Sequence, residues 1–250
     1  MTSFSLNINK IATLRNTRHV GYPDLLKLSR VALDSGAAGI TVHPRPDERH
    51  IRAADVQPIA DLCKHAGVEF NIEGNPFEGK YLKHCRTTVP TQCTLVPDAP
   101  GQNTSDHGWD FLSDVGRTAT LTRVTGIVGE LKRIGCRVSL FIDANPQQIE
   151  RAADTGADRV ELYTEPYASA FATGDYLATL DRFVKAANRA TALGLKLNAG
   201  HDLTLDNLPV LLAAIPQIEE VSIGHAVISD ALEFGLAETV RKYVAICRRA

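Results

Sequence analysis

The sequence carries no excess of either charge, a single tryptophan, a single methionine, and no apolar stretch approaching the ~18 residues that suggest a membrane span. Each shortage closes off a class of function. With 27 Lys+Arg against 29 Asp+Glu, a formal net charge of −2 and a pI near 6.4, the chain lacks the field that would wrap nucleic acid or grip an anionic membrane. Its first residues, MTSFSLNINK, lack a basic region followed by an apolar one, so neither secretion nor membrane spanning is expected. The five cysteines, Cys63, Cys85, Cys93, Cys136 and Cys247, contain no CxxC pair and are odd in number, and are read as reduced thiols of a cytoplasmic protein. Without a leader, the sequon at Asn103-Thr104-Ser105 is read as a chance match. HxH and HExxH spacings are missing, so no metal site is assigned. No low-complexity tract, charge block or break in composition marks a boundary, and residues 1–250 read as one domain.

What is present is a core-building chain, 44% hydrophobic and 22% charged. Eight short β-rich segments recur: FSLNIN, GITVHP, EFNIEG, CTLVPD, RVSLFID, RVELYTE, KLNAGH and EVSIGH. They read as near-continuous apolar runs, the pattern of parallel strands covered on both sides. Amphipathic helices lie between them, with stripes such as Val56, Ile59, Ala60 and Cys63, or Leu180, Phe183, Val184 and Ala187. Gly36, Gly67, Gly135, Gly156 and Gly194 punctuate the helix exits. This β-α alternation predicts a (β/α)8 TIM barrel with extra helices. An open doubly wound sheet is the alternative; eight units favour closure, and no GxGxxG follows the first strand. Two connections exceed what the pattern needs, Ala99 to Gly116 and Tyr167 to Tyr176, and the first, with Thr104, Ser105, Asp106 and His107, reads as a lid.

Barrel chemistry gathers at the C-terminal ends of the strands. There the segments end in Asn7, Asn9 and Lys10; His43 and Arg45; Asn71 and Glu73; Asp98; Asp143; Glu161 and Glu165; Asn198 and His201; and His225. Three histidines and Glu73 would supply groups that titrate near neutrality, with the Glu73 pKa raised by an enclosed mouth unless an arginine offsets it. Arg15, Arg18, Arg45, Arg49 and Lys10 could form an anion site or a solvated basic face. Gly224, ahead of a helical segment, would offer backbone N–H groups to a phosphate. The stretch GNPFEGK at 74–80 imitates a P-loop, but Tyr81 stands where magnesium binding needs Ser or Thr, and nucleotide binding is set aside.

The stretches NINKIATLRN (7–16), GITVHPRPDERHI (39–51), NIEG (71–74), LVPD (95–98), VSLFID (138–143), LNAGH (197–201) and IGHA (223–226) together resemble the pyridoxine 5′-phosphate synthase family, ring-closing enzymes of vitamin B6 biosynthesis. The resemblance covers nearly the whole chain. It implies condensation of 1-deoxyxylulose 5-phosphate with 3-amino-2-oxopropyl phosphate to pyridoxine 5′-phosphate, phosphate and water, with no cofactor, in a homo-oligomer, an octamer. It implies Glu73, His43 and His201 as catalytic residues. Asn7, Arg18, Gly224 and His225 would hold the amino-ketone phosphate, and Arg45, His50 and Thr104 the deoxyxylulose phosphate. This chain departs from the common pattern at Asn9 and Lys10, where many members have Asp and His, at Asp202 for a glycine, and at Tyr163 and Glu165 for a histidine and a glycine. Carry-over to Asn9, Lys10 and Asp202 is correspondingly weaker; an anionic Asp202 beside a phosphate would need Lys10 or an arginine to compensate. A metal-dependent sugar-phosphate isomerase or hydrolase on the same barrel is the competing reading, and a non-catalytic phosphate sensor a third.

Overall fold

The structure, a computed structural model, describes residues 1–102, 104–113 and 117–249. Asn103 and the end of the expected lid at Gly116 lie outside the described residues. In chain order the elements are β1 (Ser3–Asn7), α1 (Asn9–Asn16), α2 (Leu25–Asp34), β2 (Gly39–Val42), α3 (Ala53–Ala66), β3 (Glu69–Gly74), α4 (Tyr81–Thr88), β4 (Gln92–Leu95), α5 (Arg117–Arg133) and β5 (Arg137–Ile142). They continue as α6 (Pro146–Asp154), β6 (Arg159–Tyr163), α7 (Glu165–Thr173), α8 (Leu177–Ala192), β7 (Lys196–Gly200), α9 (Leu208–Ala214), β8 (Ile218–Ile223), α10 (His225–Phe234) and α11 (Leu236–Arg249). All eight strands pair in parallel, each with the next, and β1 closes on β8, giving the (β/α)8 barrel that the sequence predicts and no open edge. The extra helices are α1, α7 and α10, each sharing a connection or terminal segment with a longer helix; α7 occupies most of the expected long connection at 167–176.

Local chemistry explains where the elements stop and start. The Asp24 side chain caps α2 by accepting from the Lys27 N–H, and Asn145 caps α6 from the Gln147 N–H with Pro146 at the first helical position. Gly67 ends α3 in the left-handed region at φ 67°, which a side chain would disfavour. The predicted stripe Val56, Ile59, Ala60 and Cys63 is fully buried against the sheet.

One expectation is corrected. The strands are not continuous apolar runs: apolar and polar residues alternate, and both kinds are buried. Leu6, Ile40, Ile72, Leu95, Leu140, Leu162, Ala199 and Ile223 face the helices, in the main core. The residues between them point into the barrel and, Phe141 and Tyr163 apart, are polar. Asn198 on β7 donates to the Gln92 Oε1 on β4 at 3.2 Å, a pair that can meet only inside the closed sheet. Ser5, Thr41, Asn71 and Thr94 form a hydrogen-bonded arc across β1 to β4 (2.8–3.4 Å). Arg159 donates to Asn198 at 2.7 Å, and Asn198 to Glu220 at 3.2 Å. Barrels are commonly filled by Val, Ile and Leu; this one is filled by hydrogen bonds, which offset the desolvation of its polar groups.

Candidate active site

The inward alternation delivers polar side chains to the C-terminal mouth. On β3 it brings up Glu73, above Asn71. The Asn7 amide at the end of β1 donates to Glu73 Oε2 at 3.3 Å, and the His43 Nδ1, just past β2, lies 3.9 Å from the same oxygen. The other imidazole nitrogen, Nε2, stands 3.6 Å from Asp98 Oδ2, past β4. His43 is thus held between two carboxyl groups. Asp98 in turn pairs closely with the Arg45 guanidinium and accepts from the Ser105 hydroxyl at 2.9 Å.

Burial shapes these protonation states. It pushes Glu73 up to about 8, with Asp98 and Glu220 adding to the effect and Arg45 opposing it, as expected for an enclosed carboxyl with an arginine nearby. Glu73 is therefore mostly protonated at neutral pH. His43 is held well below the usual histidine range, by burial first and then by Arg45 and its neighbours. A neutral imidazole beside a protonated carboxyl, 3.9 Å apart, is therefore not an ion pair. Asp98 is also raised by burial, with Arg45 pulling it back.

His201 follows β7 at φ 82°, and Asp202 at φ 55°. The Thr164 hydroxyl fixes this turn by donating to the Gly200 and His201 carbonyls. Glu161 on β6 is fully buried close by: a Cβ added at Gly200 would stand 2.4 Å from Glu161 Oε1, so a side chain there would displace that carboxyl. Burial, then Glu73 and Glu220, drives the Glu161 carboxyl well upward.

Gly224 caps α10 and presses against β1; an added Cβ would lie 2.9 Å from the Asn7 carbonyl oxygen. This brings Asn7, Gly224 and the exposed His225 together at a helix N-terminus. The Asn9 side chain accepts from the His43 N–H at 2.9 Å and so ties the start of α1 to the end of β2. Lys10 is exposed on the first turn of α1. Burial and Glu165 push Asp202 upward, while His225 and Lys10 draw it down, the compensation that this departure from the common pattern needs.

His50 is buried 5.9 Å from the His43 ring, edge-on, and its Nδ1 accepts from the Ile51 N–H. Burial, with Arg45 and Arg49, pulls it down to about 3. The 99–113 loop is fastened above this region. The Gln102 carbonyl accepts from Arg45 at 3.1 Å and from Arg49 at 2.6 Å, and Thr104 sits exposed two residues on. Beneath lies a cavity of about 80 Å³ lined by His43, Arg45, Gly74, Asn75, Tyr81 and Asp98. A second, of about 580 Å³, opens beyond Tyr163 between Asp106, Asp143, Asn145 and Glu165. GNPFEGK is the turn from β3 into α4, with Gly79 packed against Pro46.

Two basic residues stand apart from the mouth. Arg15 grips Asp55 through two hydrogen bonds of 2.6 and 2.8 Å, which removes it from the expected anion site. Arg18 is exposed past the end of α1, roughly 12 Å of helix from Asn9. Asp98 and Glu161, by contrast, were legible only as strand-end residues, and proximity to His43 and His201 is what distinguishes them. Among the described residues, no group of three or more His, Cys, Asp or Glu side chains is disposed to hold a metal ion.

Comparison with known proteins places this geometry. Solved structures of the same fold include thiamine phosphate pyrophosphorylase from Pyrococcus furiosus, at TM-score 0.61 and 12% identity over 99% of this chain and 96% of that one. Another is phosphoribosylanthranilate isomerase from Thermotoga maritima, at TM-score 0.59 and 13% identity over the full length of both. At such identity only the fold is shared. Sequence relatives are far nearer: a pyridoxine 5′-phosphate synthase of Xanthomonas axonopodis pv. citri is 54% identical over 99% of this chain and 97% of its own length, and one of Brucella anthropi is 53% identical over 96% and 97%. The family pattern described as pyridoxal phosphate biosynthesis protein PdxJ matches residues 4–249, and the chain belongs to that family.

Proposed function

We propose that the chain is a pyridoxine 5′-phosphate synthase, an enzyme that condenses 1-deoxyxylulose 5-phosphate with 3-amino-2-oxopropyl phosphate, releasing phosphate and water as the pyridine ring closes. Family membership and identity above one half over nearly the full length support this reading. The observation that carries it is the placement of His43 between Glu73 and Asp98, within 4 Å of each, at a barrel mouth that also gathers Asn7, Arg45 and Gly224. Residues 1–250 act as one catalytic domain.

Ring closure needs an imine to form, phosphate to leave, a carbon nucleophile to attack and protons to be removed. Glu73, its pKa raised by burial, is suited to donate a proton to the reacting molecule, and neutral His43 beside it to accept one from it. His201, pulled down to about 4 by burial and Arg45, is a second neutral base on the opposite side of the mouth. Backbone N–H groups at the start of α10, with Asn7 and His225, take one phosphate. Arg45 and His50 take the other substrate, with Thr104 closing from the loop. Arg18 belongs by resemblance with Asn7 and His225, in the set that holds the amino-ketone phosphate. Asn9 holds His43 in place, and Lys10 and Asp202 balance each other beside the first phosphate.

Leu14, Val20, Tyr22 and Leu26, exposed on α1, α2 and the loop between them, suit a homo-oligomer, by resemblance an octamer, whose mass sedimentation would read. Five buried, unpaired thiols suit the reducing cytoplasm, and no helix among the described residues is long and apolar enough to cross a membrane. The decisive experiment mixes purified protein with both substrates and follows phosphate release alongside the product's aromatic absorbance. Release of phosphate without a pyridine product would point to a hydrolase instead. Loss of activity on exhaustive chelation, restored by a divalent metal, would favour the metal-dependent alternative.

A further inference from the structure

The barrel interior is polar except on one side. There Val96, Phe141 and Tyr163 form an apolar cluster of their own, apart from the main core. Phe141 takes an inward position on β5, where Arg137 and Ser139 below it are polar. Its ring lies 5.4 Å from that of Tyr163, and both rings face His201: the imidazole is 4.9 Å from Phe141 and 5.6 Å from Tyr163, edge-on to the latter at 80°. His201 Nδ1 is buried with no hydrogen-bond partner among the described residues. Its backbone sits in the left-handed region, anchored by Thr164. Beyond a backbone contact with Gly200, packing on two aromatic rings is thus what orients this imidazole, in a place where side-chain hydrogen bonds usually do so.

We propose that Phe141 and Tyr163 are positioning residues for the ring-closing reaction: their rings clamp the His201 imidazole and present its Nε2 to the reacting molecule. The clamp rests on the functional reading above only for the reaction it serves. It also keeps water from one side of the ring, in keeping with the burial that draws His201 down to about 4. Of the charged and titratable groups, Arg45 and His43 from the end of β2 act on the imidazole or feel it, and the Tyr163 phenol from β6 feels Glu165, Asp202, Asp106 and Asp143.

The test is an NMR titration of the histidine rings in the full chain, with the His201 signal assigned by its loss in His201→Gln. His201 in the unaltered protein is expected to titrate below pH 5. Phe141→Leu, which keeps apolar bulk and removes the ring, should raise that midpoint by about one unit. It should also lower kcat about tenfold, with KM changed less than about threefold. Tyr163→Leu should act alike, and Tyr163→Phe should restore most of the loss. A midpoint near 6.5 in the unaltered protein, no movement in Phe141→Leu, or Tyr163→Phe as impaired as Tyr163→Leu would each overturn the clamp. The unaltered midpoint and the Tyr163 pair decide the matter should Phe141→Leu fail to fold. Because the titration needs no turnover, a protein that made no pyridine product would defeat the reaction while leaving the clamp to stand or fall on its own.

Discussion

Outside the eight strands, Leu6, Ile40, Ile72, Leu95, Leu140 and Ile223 pack on the helices; inside them, Ser5, Thr41, Asn71, Gln92, Glu161, Asn198 and Glu220 bond to one another or crowd together as carboxyls. Both layers are equally dry, and they come from alternate residues of the same strands. The outer layer gains free energy by removing apolar area from water. The inner layer gains little of that, because each polar group loses hydration before its partners repay it. What the inner layer supplies is a stack of carboxyl and amide groups under the mouth, in which protonation at one site is felt at the next: Glu220 raises Glu73, and both raise Glu161. Stability resides chiefly in the shell, and the chemistry in the filling.

That division can be broken by exchanging effects between the layers. The largest change should come from the inner layer's top: Glu73→Gln should cost at least ~100-fold in kcat while the melting temperature hardly moves. Near-normal turnover would remove Glu73 from the reaction. In the shell, Leu140→Ala should destabilise the fold by about 2–5 kcal/mol in denaturant unfolding, yet leave the turnover of the folded fraction within about twofold. A large loss of turnover there would mean that the layers are not separable.

A subtler effect concerns pH. Glu73 and Glu220 have folded-state pKa values raised to about 8 and about 7, by burial first, so the folded chain holds protons that the unfolded chain releases. Their contribution is present below the ordinary carboxylate range and is lost as pH rises through 7 to 8. His50 and His201, drawn down to about 3 and about 4, act in the other direction, but only below about 6.5. Calorimetric melting temperatures should therefore fall between pH 6.5 and 8, and Glu220→Gln should flatten that slope without abolishing it. The smallest expected change is at the phosphate end: Gly224→Ala, whose Cβ would meet the Asn7 carbonyl, should raise KM for the amino-ketone phosphate about tenfold with kcat less affected.

Much of the frame was legible in the sequence. Each of the eight strands overlaps a segment marked by its β-rich residues, with β1, β4 and β8 starting one or two residues earlier, and the glycines at 36, 67, 135, 156 and 194 all adopt positive φ at helix exits. The clustering of His43, Glu73 and Asn7 followed from strand ends alone, because a barrel sends all its C-terminal ends to one rim. The inner layer was misread. In EFNIEG the alternation is plain once the fold is known, but a strand with one dry polar face and one dry apolar face differs little in composition from a wholly apolar strand with a few polar residues. Whether Asn198 finds an acceptor depends on Gln92, 106 residues away, and no local pattern encodes that. Arg15 failed as an anion ligand for the same reason: its partner Asp55 lies 40 positions on, across α3.

The five cysteines, left aside as reduced thiols, have a practical corollary. All are buried without a disulfide, burial pushes Cys63 and Cys247 up to about 12, and Cys136, drawn down by its contact with Cys93, is shielded by burial alone, so the folded enzyme should react only slowly with maleimide reagents. A cysteine introduced at exposed Thr104 would then be the lone conjugation handle on the chain, and a dye attached there could follow in real time how the 99–113 loop responds as each substrate arrives.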